Sequence, residues 1–131
     1  FVSFERGVVA IEPPKADWDL CFSQYLEVLP EAYLVTGVLL NRHQTAAVMD
    51  STLPFSAIDI GIASDMQLSN SLNVIGYAWK FYHFNSATYQ VLPQMTYIIR
   101  DSEGHLYKLH FVDFYDAQGV KGSPAWEYQR L

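Results

Sequence analysis

The sequence predicts an all-β fold, a mostly antiparallel β-sandwich-like domain with a few short helical turns. Three observations carry that prediction. Residues 78–131 hold three alternating or continuous apolar runs separated by compact turn signals. Aromatic residues fall on both faces of those runs, whereas a half-exposed sheet shows polar residues on one face. Half of the 131 residues are hydrophobic and 15% are aromatic, enough to build a core without metals or disulfides. The length fits one domain over residues 1–131.

Taken in order, Val2 to Ile11 reads as a strand that Glu12-Pro13-Pro14 ends. The run from Trp18 to Leu29 is compatible with two patterns. Trp18, Leu20, Phe22, Leu26 and Val28 alternate, while Trp18, Cys21, Phe22, Tyr25, Leu26 and Leu29 form a helical stripe that Asp17 would cap. Its strand-like neighbours favour a strand, closed by Pro30. Tyr33 to Leu40 is a candidate buried strand, and Asn41 to Asp50 has no clear periodicity. From Ser51 to Gly76 the chain is polar and poor in aromatics, as in loops with one short helix or strand. Trp79 to Phe84 is a strand. Thr96 to Arg100 and Leu106 to Tyr115 form a hairpin around Asp101-Ser102-Glu103-Gly104. A loop around Gly119 to Pro124 leads to a last strand, Ala125 to Leu131. Short connections favour antiparallel pairing.

The net charge is −6, with 8 scattered basic residues, which argues against nucleic acid and anionic membrane surfaces as partners. No apolar run is long enough to span a bilayer. The single cysteine, Cys21, forbids an internal disulfide and reads as a small buried residue. The opening at Phe1, inside an apparent strand, is that of a mature or trimmed chain whose signal and lipid-anchor region lies upstream.

Catalytic signatures are missing: no Gly-rich phosphate loop, CxxC, HExxH or GxSxG occurs. Acid pairs such as Asp17/Asp19 and Asp113/Asp116 are what chance gives among 14 acids, and solvated edges explain them. A non-enzymatic protein is expected. Among the histidines, His43 and His105 read as surface residues and His110 as a satisfied, half-buried sheet residue. His83 differs, because Trp79, Phe81, Tyr82 and Phe84 surround it. Such a strand end lines a pocket for a flat apolar ligand, or else His83 is a core-edge imidazole bonded to backbone. Met95 starts an apolar strand and reads as core, whereas Met66 lies in the polar stretch Ser64-Asp65-Met66-Gln67 and reads as exposed.

Phe1-Val2-Ser3-Phe4, Gly7-Val8-Val9, Trp18-Asp19 and Tyr25, followed later by Trp79, Tyr89, Tyr97-Ile98-Ile99-Arg100, Gly104, Tyr107-Lys108, Phe111, Phe114-Tyr115, Gly119, Gly122, Trp126 and Tyr128, stand in an order and spacing that resemble the HmuY family of Bacteroidetes haem-binding surface lipoproteins. The resemblance runs nearly end to end. It implies an all-β protein at the outer membrane or released from the cell surface. Such a protein takes haem from host carriers and passes it to a TonB-dependent receptor, holding the iron between two His or Met side chains. One family ligand lies just after the tryptophan that Trp79 resembles, which makes His83 the candidate. Relatives carry a longer segment before that tryptophan, with a hairpin that supplies the other ligand. Here residues 60–78 fill the gap, and Met66 is the residue there suited to iron. The resemblance thus makes His83 and Met66 the candidate metal ligands; on the haem reading Trp79, Phe81, Tyr82 and Phe84 partly line the porphyrin faces, and Arg42 or Lys80 pairs with the propionates. The alternative is an accessory surface module on the same fold that binds a glycan or protein without haem.

Overall fold

The computed structural model describes residues 2–3, 7–8, 14, 16–28 and 30–131. The described residues are all-β and antiparallel, with one short 3-10 turn, Phe55–Ala57, and one short helix, α1 (Ile60–Asp65). Strands β1 (Val2–Ser3) and β2 (Gly7–Val8) pair antiparallel, so the single strand expected over residues 2–11 is at least two. The rest of that span, with Glu12 and Pro13, lies outside the described residues.

The ambiguous segment is a strand, β3 (Leu20–Val28), paired in register with β4 (Ala32–Leu40) from Leu20↔Leu40 to Val28↔Ala32. Only the second half of β4 is buried, at Val35, Gly37, Val38 and Leu40. Cys21 is exposed on this ribbon rather than buried. A four-stranded sheet has the order β10 (Lys121–Arg130), β9 (Leu106–Tyr115), β8 (Thr96–Arg100), β5 (Ala46–Asp50). The β8–β9 hairpin closes where the sequence places it, at Arg100↔Leu106. Strand β5, without legible periodicity, pairs with β8 because its two faces are used differently: Ala47 joins one core cluster and Val48 packs against another. Strand β10 starts earlier than expected and absorbs Gly122 (φ +106°) and Pro124 in register shifts against β9. That is where an edge strand tolerates a missing donor. A second hairpin joins β6 (Lys80–His83) to β7 (Thr88–Val91).

Strand β8 explains why both faces of the C-terminal strands are apolar. Tyr97 and Ile99 point into the main core with Val38, Leu40, Trp79, Leu109 and Phe111. Ile98 points the other way, into a smaller cluster with Ile58 and Ala63 beneath α1. Asp59 caps that helix by accepting from Ile62 N–H at 2.9 Å.

The chain between α1 and β6 stitches the units together. Ser69 and Ala47 exchange two hydrogen bonds of 2.8 Å, Leu40 N–H donates to Leu72 O at 2.8 Å, and Val38 and Gly76 exchange bonds of 2.9 and 3.0 Å. Gly76 sits at φ +57°, and its carbonyl also accepts from the Trp79 indole at 3.1 Å. This contact fixes Trp79 against the core, stacked on Phe111 at 4.0 Å and 15°. Three of these acids prove to be acceptors, Asp113 and Asp116 for local backbone and Asp19 for a distant side chain. Asp19 accepts from the Thr45 hydroxyl at 2.9 Å, Asp113 from Tyr115 N–H at 3.1 Å, and Asp116 from Val120 N–H at 2.8 Å.

Candidate functional site

A cleft of about 580 Å³ opens where the first half of β4 faces the β6–β7 hairpin. Tyr33, Leu34, Val35 and Thr36 form one wall; Lys80, Phe81, Tyr82, Phe84 and Tyr89 form the other, and Tyr77 stands between them. The volume falls in the range of small-molecule and cofactor sites, as does a mostly apolar lining with a few polar groups. The antiparallel register places Tyr82 opposite Tyr89, their rings 4.8 Å apart. Phe84 meets Tyr82 edge-on at 5.1 Å, and Tyr89 meets Phe114 at 5.0 Å. Phe114 in turn meets Trp79 edge-on at 5.6 Å. The cleft is thus the open end of an aromatic stack rooted in the core.

Lys80 is the cationic group of this cleft. Its stem follows the strand inward, and its Nζ donates to Thr36 O, lying 4.1 Å from the Trp79 ring centre and 4.8 Å from that of Phe114. No carboxylate pairs with it among the described residues. Burial pushes its pKa down to about 8, because removing an ammonium from water disfavours the charged form. The ammonium is still the main form at neutral pH, held by ring faces and one carbonyl.

Across the cleft the hydroxyls of Tyr33 and Tyr77 lie 2.8 Å apart, with the rings edge-on at 6.3 Å. The Tyr77 pKa is pushed up to about 12, first by its hydrogen bond to Tyr33 and then by burial. Either hydroxyl can donate in this pair.

The residues predicted from sequence divide between this cleft and other places. Phe81, Tyr82 and Phe84 line it. Trp79 is fully buried behind it. His83 is exposed at the rim, with Nε2 2.7 Å from Gln90 Oε1 and its ring edge-on to Phe81 at 4.9 Å. Its partner is thus a side chain rather than backbone. Met66 is half-buried against the cluster of Ile58, Ala63 and Ile98, not exposed. The structure does not bring Met66 and His83 to a common cavity. Arg42 lies in an exposed turn and does not line the cleft. Tyr33 and Tyr77 are cleft residues that the sequence reading did not place at a site. Their proximity depends on the Val38–Gly76 pairing, which leaves no periodic trace.

His110 is a satisfied sheet histidine. It stacks on Phe55 at 4.1 Å, with ring nitrogens 3.2 Å from Pro93 O and 3.1 Å from Glu127 Oε2. His105 is half-buried rather than exposed. Its Nδ1 lies 3.2 Å from Asp101 Oδ2 and 3.3 Å from Glu103 Oε2, the closest grouping of potential metal ligands among the described residues. Burial alone would raise the Asp101 pKa, but hydrogen bonds from His105 N–H, the His105 ring and Glu103 N–H outweigh it and hold it below its ordinary value. These bonds close the β8–β9 turn, which explains the grouping without an ion.

Comparison with known proteins adds the ancestry. No curated protein matches the chain. Among solved structures, a crystal structure from Bacteroides vulgatus ATCC 8482, named as HmuY-like and heme-binding, is 15% identical, with 95% of this chain and 73% of that one covered and a TM-score of 0.44. The HmuY protein family model matches residues 1–128. With nearly the whole sequence matched, this chain belongs to the HmuY family.

Proposed function

We propose that the protein binds haem without catalysing a reaction, and that the porphyrin occupies the aromatic cleft between β4 and the β6–β7 hairpin. The observation that carries this reading is the cleft itself: about 580 Å³, walled by Phe81, Tyr82, Phe84 and Tyr89, with one ammonium inside that has no carboxylate partner among the described residues. The fit can be argued group by group. Ring faces and Val35 suit a flat apolar macrocycle. Lys80 suits a carboxylate, because a cation with no acidic partner gains a charge-assisted hydrogen bond there. Family membership and the resemblance of the residues around Trp79 and His83 support the same ligand.

On this reading Phe81, Tyr82 and Phe84 hold the macrocycle, and His83 is the imidazole placed at the rim. Met66 and Trp79 act through packing, since both are committed elsewhere. The protein's task would be capture and release rather than redox chemistry, at the bacterial surface or outer membrane, with a TonB-dependent receptor or host haem carrier as exchange partner. The described residues contain no helix long and apolar enough to cross a membrane. A haem-free module for a glycan or protein is favoured by one feature, the exposure of Phe84, Trp126 and Tyr128.

A haemin titration separates the two. Saturable one-to-one binding that Phe81→Ala and Phe84→Ala weaken together would support the cleft. Binding no stronger than that of a control protein would leave the haem-free module.

A further inference from the structure

The cleft that we propose for haem lacks imidazole and thioether on its walls, yet it holds a ready iron ligand of another kind. From the Tyr33–Tyr77 juxtaposition we infer that Tyr33 coordinates ferric haem iron as a phenolate, with Tyr77 as the positioning residue that holds it. This inference rests on the haem reading and deepens it.

Three observations converge. Neither His83 nor Met66 lines the cleft, so its potential ligand atoms are tyrosine oxygens, the Thr36 hydroxyl and the Lys80 amine. Lys80 is withdrawn beneath the rings of Trp79 and Phe114 and spends a hydrogen bond on Thr36 O, which leaves its amine the wrong direction for iron. Tyr33 lines the cleft and is 41% exposed.

Exposure distinguishes the two hydroxyls, since Tyr33 is exposed and Tyr77 half-buried. A phenol becomes a good ligand once it loses its proton, and phenolate oxygen is an established axial donor to haem iron. Loss of that proton is eased by a neighbour that donates a hydrogen bond to the resulting anion. Tyr77 is that neighbour, 2.8 Å away. On binding, the Tyr33 O–H bond breaks, the Fe–O bond forms as haemin releases its chloride or water ligand, and the proton and that ligand leave to solvent. No electron moves, and the iron stays ferric. Tyr77 keeps its own proton on the Tyr33 oxygen, fixing the lone-pair direction as an outer partner fixes a metal ligand. A hard oxygen donor favours ferric over ferrous iron, so reduction should weaken the complex.

The test compares wild type, Tyr33→Phe, Tyr77→Phe and His83→Ala, each checked for unchanged thermal unfolding before binding. The probes are haemin and iron-free protoporphyrin IX. Wild-type ferric complex should be high-spin and show a phenolate-to-iron charge-transfer band, with the phenolate stretch in resonance Raman. Tyr33→Phe should abolish both signatures, and Tyr77→Phe should keep them shifted while weakening haemin binding about tenfold. Iron-free protoporphyrin should bind wild type and Tyr33→Phe alike, because it has no metal to coordinate. Signatures that persist in Tyr33→Phe, or a wild-type low-spin spectrum that depends on His83, would overturn the tyrosinate assignment and leave the haem cleft standing. Failure of wild type to bind either porphyrin would overturn both.

Discussion

Two lysines mark two sides of this molecule that share a composition and differ in what they do with it. Lys108 is buried on the sheet and donates to Phe55 O and Ile58 O, both at 2.8 Å, while covering the Phe55 ring. Both of these hydrogen bonds close the chain on itself, pinning the 3-10 turn to β9. Lys80 sits at the root of the cleft with one carbonyl and ring faces around it, and its pKa is lowered by burial. The aromatic residues divide the same way. Trp79, Phe111 and Phe114 are sealed in the core, whereas Phe81 and Phe84 are 55% and 86% exposed on the neighbouring hairpin. An aromatic-rich β-protein therefore need not spend all its rings on stability. The exposed ones stand together on one hairpin, as in apolar patches that mark binding surfaces.

The sharpest way to break this comparison is Trp79→Ala. Removing a fully buried indole that stacks on Phe111 should cost about 3–5 kcal/mol, read as a lowered midpoint in urea unfolding. Phe84→Ala should change stability by less than about 0.5 kcal/mol, and equal losses at the two sites would erase the distinction between core and cleft. Next in size is the lysine pair. Lys108→Met strands two carbonyls and should cost about 2–3 kcal/mol. Lys80→Met relieves a buried charge, strands one carbonyl and should cost less than about 1 kcal/mol.

How much of this was legible beforehand follows from the same division. The β8–β9 hairpin could be read because alternation and turn residues are local properties, whereas residues 20–28 fitted a helical stripe equally well and only their strand-like neighbours favoured a strand. The two-faced burial of β8 was visible as apolar runs without polar alternation. Strand β5 was hidden because Ala46 and Ala47 are small and Met49 points to solvent. Strand β7, Thr88–Val91, was hidden by its brevity and by Gln90 within it. The cleft was half visible: Phe81, Tyr82 and Phe84 lie on one predicted strand, but Tyr33 and Tyr77 are 44 residues apart and meet only through Gly76. No periodicity encodes that meeting. The β6 alternation that sends Lys80 and Tyr82 inward also turns His83 outward, the direction that sequence alone left open.

Gly37 tests the wall between the two sides. A Cβ there would lie 2.8 Å from both Gly76 O and the Tyr25 hydroxyl, so Gly37→Ala should cost about 1–3 kcal/mol and disturb the cleft by shifting Gly76. A loss in stability with unchanged porphyrin affinity would show that the cleft does not depend on that seam.

The smallest expected effects are those of pH. Lys80 has a folded pKa of about 8, below its ordinary 10.5. Between those values the unfolded chain binds a proton that the folded chain has released, so this group makes stability rise with pH across that window. Carboxylate binding runs the other way: it is fully present below about 8 and weakens above it as the ammonium is lost. Lys80→Met should flatten both profiles. Asp101 has the opposite sign. Its folded pKa is depressed, so its contribution is present above the ordinary carboxylate range and disappears as pH falls through the folded value. Asp101→Asn should reduce the acid sensitivity of thermal unfolding.

The most direct measurement is to follow the backbone amide resonances of the protein while adding diamagnetic gallium protoporphyrin IX. The account predicts one saturable site, with the largest shifts at Val35, Thr36, Tyr77, Tyr82 and Tyr89 and little change at Leu109 or Ile98 on the closed side. Shifts concentrated instead around Trp126 and Tyr128, or no saturable shifts at all, would contradict a porphyrin site between β4 and the β6–β7 hairpin.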